Sequence, residues 1–167
     1  MSILPIKIYG SEVLREKAEA IPELTDEVRQ LVAGMKDSMY YHQGVGLAAN
    51  QVGVPKRLFV ADDGDGFKAF INPVIIEANG RAAAEEGCLS LPGIYVDIER
   101  GFSVTVEYLD EDGERKRLDA EGLLARIIQH ELDHLDGVMI SDRAGFLAKK
   151  MMGGKLKKLA KHAKERL

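Results

Sequence analysis

The chain of 167 residues has a single cysteine, Cys88, so no internal disulfide can form, and this usage fits a reducing compartment. No stretch approaches the ~20 apolar residues of a membrane-spanning helix. The first ten residues, where Pro5 and Lys7 interrupt a short apolar run, do not make a signal peptide. A cytoplasmic address is therefore expected, with no membrane partner. Repeats, low-complexity segments and inter-domain linkers are also missing, so residues 1–167 are expected to form one domain. The composition, 46% apolar and 30% charged, is that of a globular protein with a sizeable core.

Charge is unevenly spread. From Ala144 to Leu167 there are eight Lys or Arg against one acid, Glu165, for a net +7. The other 143 residues hold 15 basic and 26 acidic side chains, so the overall −4 hides a basic tail on an acidic body. In that tail Lys150, Lys157, Lys161 and Lys164 recur at helical spacing, which leaves Leu156, Leu159 and Ala160 to pack. Such a face is commonly just a solvated helix. It also suits a surface rich in RNA phosphate.

Periodicity places the elements. A short helix is expected over 11–19, closed by Pro22, and a stronger one from Asp26, capped by Thr25, with Val28, Leu31, Val32, Met35 and Met39 on one face. A glycine-rich loop spans 44–53. Strand-like runs follow at Arg57–Ala61, Ala69–Ile71, Val74–Glu77, Ile94–Ile98 and Ser103–Tyr108. Asp110-Glu111-Asp112-Gly113 reads as the turn of a hairpin that returns through Glu114–Leu118. The stretch Gly122–Leu135 carries Leu123, Leu124, Ile127, Ile128, Leu132 and Leu135 at three- and four-residue steps, with Gly137 placed to end the helix. A helical Ala144–Met152, a break at Gly153-Gly154 and a basic final helix complete the reading. Helices and strands are segregated, which predicts an α+β fold: antiparallel strands around a central metal-binding helix, N-terminal helices and a basic C-terminal helix.

That central helix holds the chemistry. His130 and His134 are four apart, so both imidazoles leave one helix face and can share a metal ion, and Glu131 sits one step round, within reach of a metal-bound water. Glu131 continues the apolar row of Leu123 and Ile127 and is expected to point inward, where an unpaired carboxylate is costly unless it has work to do. Cys88, in Glu86-Gly87-Cys88-Leu89-Ser90, is a candidate third ligand; taken alone, a free cysteine is more often a small buried hydrophobe. A thiolate with two imidazoles leaves one coordination position open, as catalysis requires. Gly44-x-Gly46-x-x-Ala49 superficially matches a dinucleotide fingerprint, but it follows a helix instead of a strand and is rejected as one. It reads better as a loop whose backbone approaches a substrate, with Gln51 presenting an amide.

Three motifs, Gly-x-Gly-Leu-Ala-Ala-x-Gln at 44–51, Glu-Gly-Cys-Leu-Ser at 86–90 and His-Glu-x-x-His at 130–134, stand unbroken and in order, and in this the sequence closely resembles the peptide deformylases. The resemblance covers nearly the whole chain. It implies Cys88, His130 and His134 as metal ligands and hydrolysis of the formyl group from the N-terminal formyl-methionine of newly made polypeptides. It implies that hydroxide generated at the metal attacks the formyl carbon, with Glu131 as general acid/base and not a ligand. A divalent ion brings the pKa of its water from about 15.7 to about 7. The metal, the Gln51 amide and the Leu89 backbone N–H would hold the developing oxyanion. Val45, Gly46, Leu123 and Ile127, with His130, are implied as the methionine pocket. Arg126, four residues before His130, reads either as a substrate contact or as a structural or snorkelling cation. His42 and His162 read as surface residues.

Ligand softness alone points to zinc. The resemblance implies one Fe²⁺ per chain, with Zn²⁺, Ni²⁺ or Co²⁺ as substitutes. The implied partners are N-formyl-methionyl nascent peptides and, through the basic helix, the ribosome; no specific DNA is implied. A zinc peptidase built on the same helix is the competing enzyme, although such enzymes commonly take the third ligand downstream of the helix. A non-catalytic metal protein would need a fourth ligand, and the sequence offers no second cysteine and no plausible further histidine.

Overall fold

The computed structural model describes residues 3–165. Helix α1 (Asp26–Tyr41) starts where the sequence places it: the Thr25 side chain accepts from the Val28 N–H at 3.3 Å. Seven strands follow: β1 (Gly46–Ala48), β2 (Leu58–Ala61), β3 (Lys68–Asn79), β4 (Ala82–Gly87), β5 (Tyr95–Arg100), β6 (Ser103–Leu109) and β7 (Arg115–Glu121). Helices α2 (Gly122–Leu135) and α3 (Phe146–Glu165) end the chain. All strand pairing is antiparallel, in a five-stranded sheet of order β1-β2-β3-β6-β7 and a separate β4-β5 hairpin.

The five-stranded sheet lies between α1 and α2, and β2 shows why. Leu58 and Val60 point to one face and pack with Met35 and Met39 of α1. Phe59 and Ala61 point to the other and pack with Ala125, Ile128 and Leu135 of α2. Phe59 stacks on its cross-strand partner Phe70 with ring centroids 4.6 Å apart. A third apolar cluster fastens the hairpin: Val96 and Ile98 of β5 pack with Leu14, Met139, Ile140 and, from α3, Met152.

The expected strands at 69–71 and 74–77 are one strand, β3, with irregular register at Asn72-Pro73. Asn72 has a φ of 52°, and its side chain both donates to and accepts from the Ile21 backbone at 2.8 Å. Other expectations need correction. The helix expected over 11–19 is only a single 3-10 turn, Glu12–Arg15, because the next residues are bonded elsewhere: the Ala18 N–H donates to the Leu135 carbonyl and Glu19 bridges to Lys56. The break at Gly153-Gly154 does not occur; α3 runs through both glycines. Two glycines cost a helix about 2 kcal/mol relative to alanine, and the packing of Met152, Leu156 and Leu159 on the third cluster offsets this. Strand β1 lies inside what reads as loop, and β4, rich in Ala and Glu, has no strand signature in sequence. At Gly137, φ is 77° and an added Cβ would lie 2.6 Å from the Arg15 carbonyl oxygen, so the residue that ends α2 must be glycine twice over. Among the described residues no helix is long and apolar enough to cross a membrane.

Candidate metal centre and catalytic pocket

Helix α2 places the His130 and His134 ring centroids 5.0 Å apart, and the turn after β4 brings Cys88 to His134 from 46 residues away in sequence. Donor atoms of the three lie within 4.8 Å of one another, the one such group of His, Cys and carboxylate side chains among the described residues. The Cys88 sulfur is 3.2 Å from His134 Nε2. Burial, reinforced by the proximity of His130, holds the His134 pKa well below its ordinary value, so the ring is neutral and keeps a lone pair for a cation. One thiol and two imidazoles, with no fourth ligand grouped with them among the described residues, fit a divalent ion with an open position.

Glu86, the penultimate residue of β4, organises this set. Its Oε1 lies 2.8 Å from His130 Nδ1, which leaves Nε2 of that ring free for the metal. Arg100 donates to both carboxylate oxygens of Glu86, at 2.6 and 2.9 Å, and Arg126 donates to Oε2 at 2.6 Å. Burial on its own would raise the Glu86 pKa; hydrogen bonds from His130 and Arg100 overcome it and hold the group well below the usual carboxylate range. Arg100 also donates to Asp133 at 2.9 Å, and Asp133 receives Arg143 from the surface. The pair at its centre is nearly dry, the Glu86 and Arg100 side chains being 5% and 4% exposed.

Beside the donor atoms opens a cavity of about 440 Å³ lined by Val45, Gly46, Gln51, Leu89, Leu123 and Ile127 among others, with Cys88, His130 and Glu131 at its base. Glu131 is 3% exposed, its Oε2 lies 3.8 Å from His130 Nε2, and its Oε1 has no hydrogen-bond partner among the described residues. Burial pushes its pKa up to about 7, against the opposing pull of His130. Gly46 of β1 passes so close that an added Cβ would lie 2.6 Å from Glu131 Oε2. The Gln51 amide is oriented at both ends: its Oε1 accepts from the Ala48 N–H at 2.9 Å, while its Nε2 donates to Ser90 Oγ at 3.0 Å and lies 3.6 Å from the Cys88 sulfur.

A model of the polypeptide deformylase family matches residues 3–150 of this chain. The chain belongs to the peptide deformylase family. The peptide deformylase of Desulfitobacterium hafniense is 49% identical over 144 residues, covering 86% of this chain and 96% of its own. That of Neisseria meningitidis serogroup C is 44% identical over 165 residues, covering 97% and 99%. The crystal structure of the Thermus thermophilus peptide deformylase superposes with a TM-score of 0.91 at 38% identity, covering 96% of this chain and 99% of that one. The protein is a peptide deformylase, a metal-dependent hydrolase that removes the N-formyl group of nascent peptides.

Around this deformylase site the structure gathers Cys88, His130, Glu131, Gln51, Leu89, Val45, Gly46, Leu123 and Ile127 on one cavity, and the buried His134 stands beside Cys88 and His130 without lining it. Arg126 also borders it, and its guanidinium donates from Nη1 to Glu86 and the Ile98 carbonyl, at 2.6 and 3.0 Å, and from Nη2 to the Ala82 carbonyl at 2.7 Å. His42 and His162 lie exposed and apart from the deformylase cavity. Sequence reasoning passed over Glu86, Ser90, Arg100 and Asp133. The signal for Arg100 was present: it follows Val96 and Ile98 on the inward side of β5, where a charge needs a buried partner.

Proposed function

We propose that Cys88, His130 and His134 hold one ferrous ion, that Glu131 is the general acid/base, and that the substrate is the N-formyl-methionyl end of a nascent peptide in the cytoplasm. The observation that carries the assignment of Glu131 is its buried, unpartnered Oε1 beside the three donors in an open cavity. Iron follows from the resemblance of the motifs to the family; the softness of the donor set by itself points to zinc, with nickel or cobalt as further substitutes.

A divalent ion in this set supplies Lewis acidity, acidifying water and polarising the formyl oxygen. Glu131 accepts the proton of the attacking water at Oε1 and delivers it to the amide nitrogen as the C–N bond breaks, releasing formate and a free N-terminal amine. The Gln51 Nε2–H and the Leu89 backbone N–H border the same space and share the negative charge that develops on the formyl oxygen. The Ala48 and Ser90 contacts hold the Gln51 amide in place before substrate arrives. Val45, Gly46, Leu123 and Ile127 receive the methionine side chain: Ile127 is buried at the wall, while Val45 and Leu123 stand about half exposed at the rim. The decisive experiment pairs Glu131→Ala with a formyl-Met-Ala-Ser assay, plain peptide cleavage and metal content. Metal is retained and deformylation falls by about 10²–10⁴-fold. Activity within threefold of the parent would remove Glu131 from the mechanism.

We also propose that α3 docks the enzyme near the ribosomal exit. Lys150, Lys157, Lys161 and Lys164 are exposed on α3, while Leu156 and Leu159 pack against the third apolar cluster.

A further inference from the structure

The metal ligands come from two separately built pieces. Cys88 follows the end of β4, whereas His130 and His134 stand on α2, so the distance between sulfur and imidazoles depends on how the β4-β5 hairpin docks on that helix. Two arginines, the buried Arg100 and the partly buried Arg126, cross this junction in opposite directions. Arg100 leaves β5 and reaches Asp133 on α2. Arg126 leaves α2 and reaches the hairpin, donating to the Ala82 carbonyl of β4 and the Ile98 carbonyl of β5. Both then meet on Glu86, the residue that accepts from His130. Ala82 pairs with Arg100 and Ala84 with Ile98 in the hairpin ladder, so Arg126 grips the base of the hairpin, at the end opposite Cys88.

We infer that Arg126 is a positioning residue for the metal centre: it fastens the Cys88-bearing hairpin to the histidine-bearing helix and fixes Glu86 in the pose that orients His130. The inference rests on Cys88, His130 and His134 as the ligand set, and it is independent of which metal works in vivo and of the role of Glu131. Arg126 is suited to the task because a planar fork can satisfy two carbonyls and a carboxylate at once; a lysine at the same site has a single point of attachment. Arg100 remains bidentate on Glu86 when Arg126 is removed, so the carboxylate is not stranded as an unpaired buried charge and the fold survives.

The test uses the full chain with Arg126→Met, Arg126→Lys and Cys88→Ala. Zinc affinity is measured by chelator competition, the thiolate charge-transfer band by cobalt loading, and amide exchange of β4 and β5 in metal-free protein. Groups that orient metal ligands typically change affinity by about 10–100-fold. Arg126→Met weakens zinc binding by about tenfold, shifts the cobalt band and speeds exchange across Ala82–Gly87 and Tyr95–Arg100, while Arg126→Lys recovers part of each. Should Arg126→Met fail to fold, Arg126→Lys carries the test alone, with a smaller loss of affinity in the same direction. Parent-like zinc affinity, cobalt band and hairpin protection in the folded variants would overturn the inference. Parent-like affinity in Cys88→Ala would overturn the ligand set itself, which separates the two failures.

Discussion

Gly46→Ala is the sharpest perturbation the site offers, because one methyl group tests the position of the proposed proton carrier without touching a ligand. The added Cβ would lie 2.6 Å from Glu131 Oε2 and 2.9 Å from Ile127 Cγ2, where ordinary contact begins near 3.4 Å. Backbone torsion is not at issue, since Gly46 is not among the residues with positive φ. Neither Ile127 nor the strand yields cheaply: Ile127 is buried, and β1 is held in register with β2, Gly46 opposite Ala61. The carboxylate must therefore retreat by the shortfall, about 0.8 Å (3.4 less 2.6), and a misplacement near 1 Å costs on the order of 100-fold in rate. That loss corresponds to about 2.7 kcal/mol in the barrier, and overpacking lowers stability by about 1–3 kcal/mol. Hydrolysis of formyl-Met-Ala-Ser is measured with metal content determined on the same samples. The expected result is a kcat/KM near one hundredth of the parent with stoichiometric metal. Val45→Ala, at the half-exposed rim, serves as the control and alters KM more than kcat. Gly46→Ala protein active within threefold of the parent would refute the claim that this glycine spaces Glu131.

Other outcomes can be checked alongside. Gly153→Ala and Gly154→Ala meet no atom within 4 Å, so each should stabilise α3 by about 0.5–1 kcal/mol, read as a rise in Tm of about 2–4 °C per kcal/mol; an unchanged Tm would count against an ordered helix there. Cys88→Ala should lose most bound metal, and Cys88→Asp, which keeps an anionic ligand, should retain more, both measured by elemental analysis. Iron-loaded protein prepared in air should lose activity over hours and be protected by anaerobic handling or catalase, whereas nickel-loaded protein should persist; an iron form indifferent to oxygen would contradict the ferrous assignment. Lys157, Lys161 and Lys164 replaced together by Glu should leave hydrolysis of a short formyl peptide intact and weaken ribosome co-sedimentation, an interaction that salt should also weaken; unchanged co-sedimentation would leave α3 without that role.

The elements that announced themselves are those whose information is local. Thr25 before Asp26, the apolar steps of Gly122–Leu135 and the turn at 110–113 each specify their structure within a few residues, and each is formed. The inward aim of Glu131 was legible for the same reason, because it shares a helical row with Leu123 and Ile127. What local reading could not supply depends on partners distant in sequence. Strand β4 is a run of Ala and Glu whose extended shape is imposed by pairing with β5, from Ala82 opposite Arg100 to Gly87 opposite Tyr95. Glu86 gains its importance only when Arg100, Arg126 and His130 converge on it. Arg126 shows the limit most plainly: its position left both a structural and a substrate-facing reading open, and only the docked hairpin reveals the carbonyls to which it donates. The double glycine misled in the opposite direction, since a weak local propensity was overruled by the core beneath it.

The origin of the ligands on two chain segments ties metal supply to the lifetime of the protein. An unfolded chain presents Cys88 and the two histidines too far apart to act together, so the ion binds the native state almost alone and favours it by mass action. At a free-metal concentration 100 times the dissociation constant this amounts to about 2.7 kcal/mol. When the metal is scarce or stripped by chelator, that reserve disappears and a larger fraction of molecules is open to proteases at any moment. Starvation for the ion would thus lower the number of enzyme molecules as well as the fraction of them that is loaded.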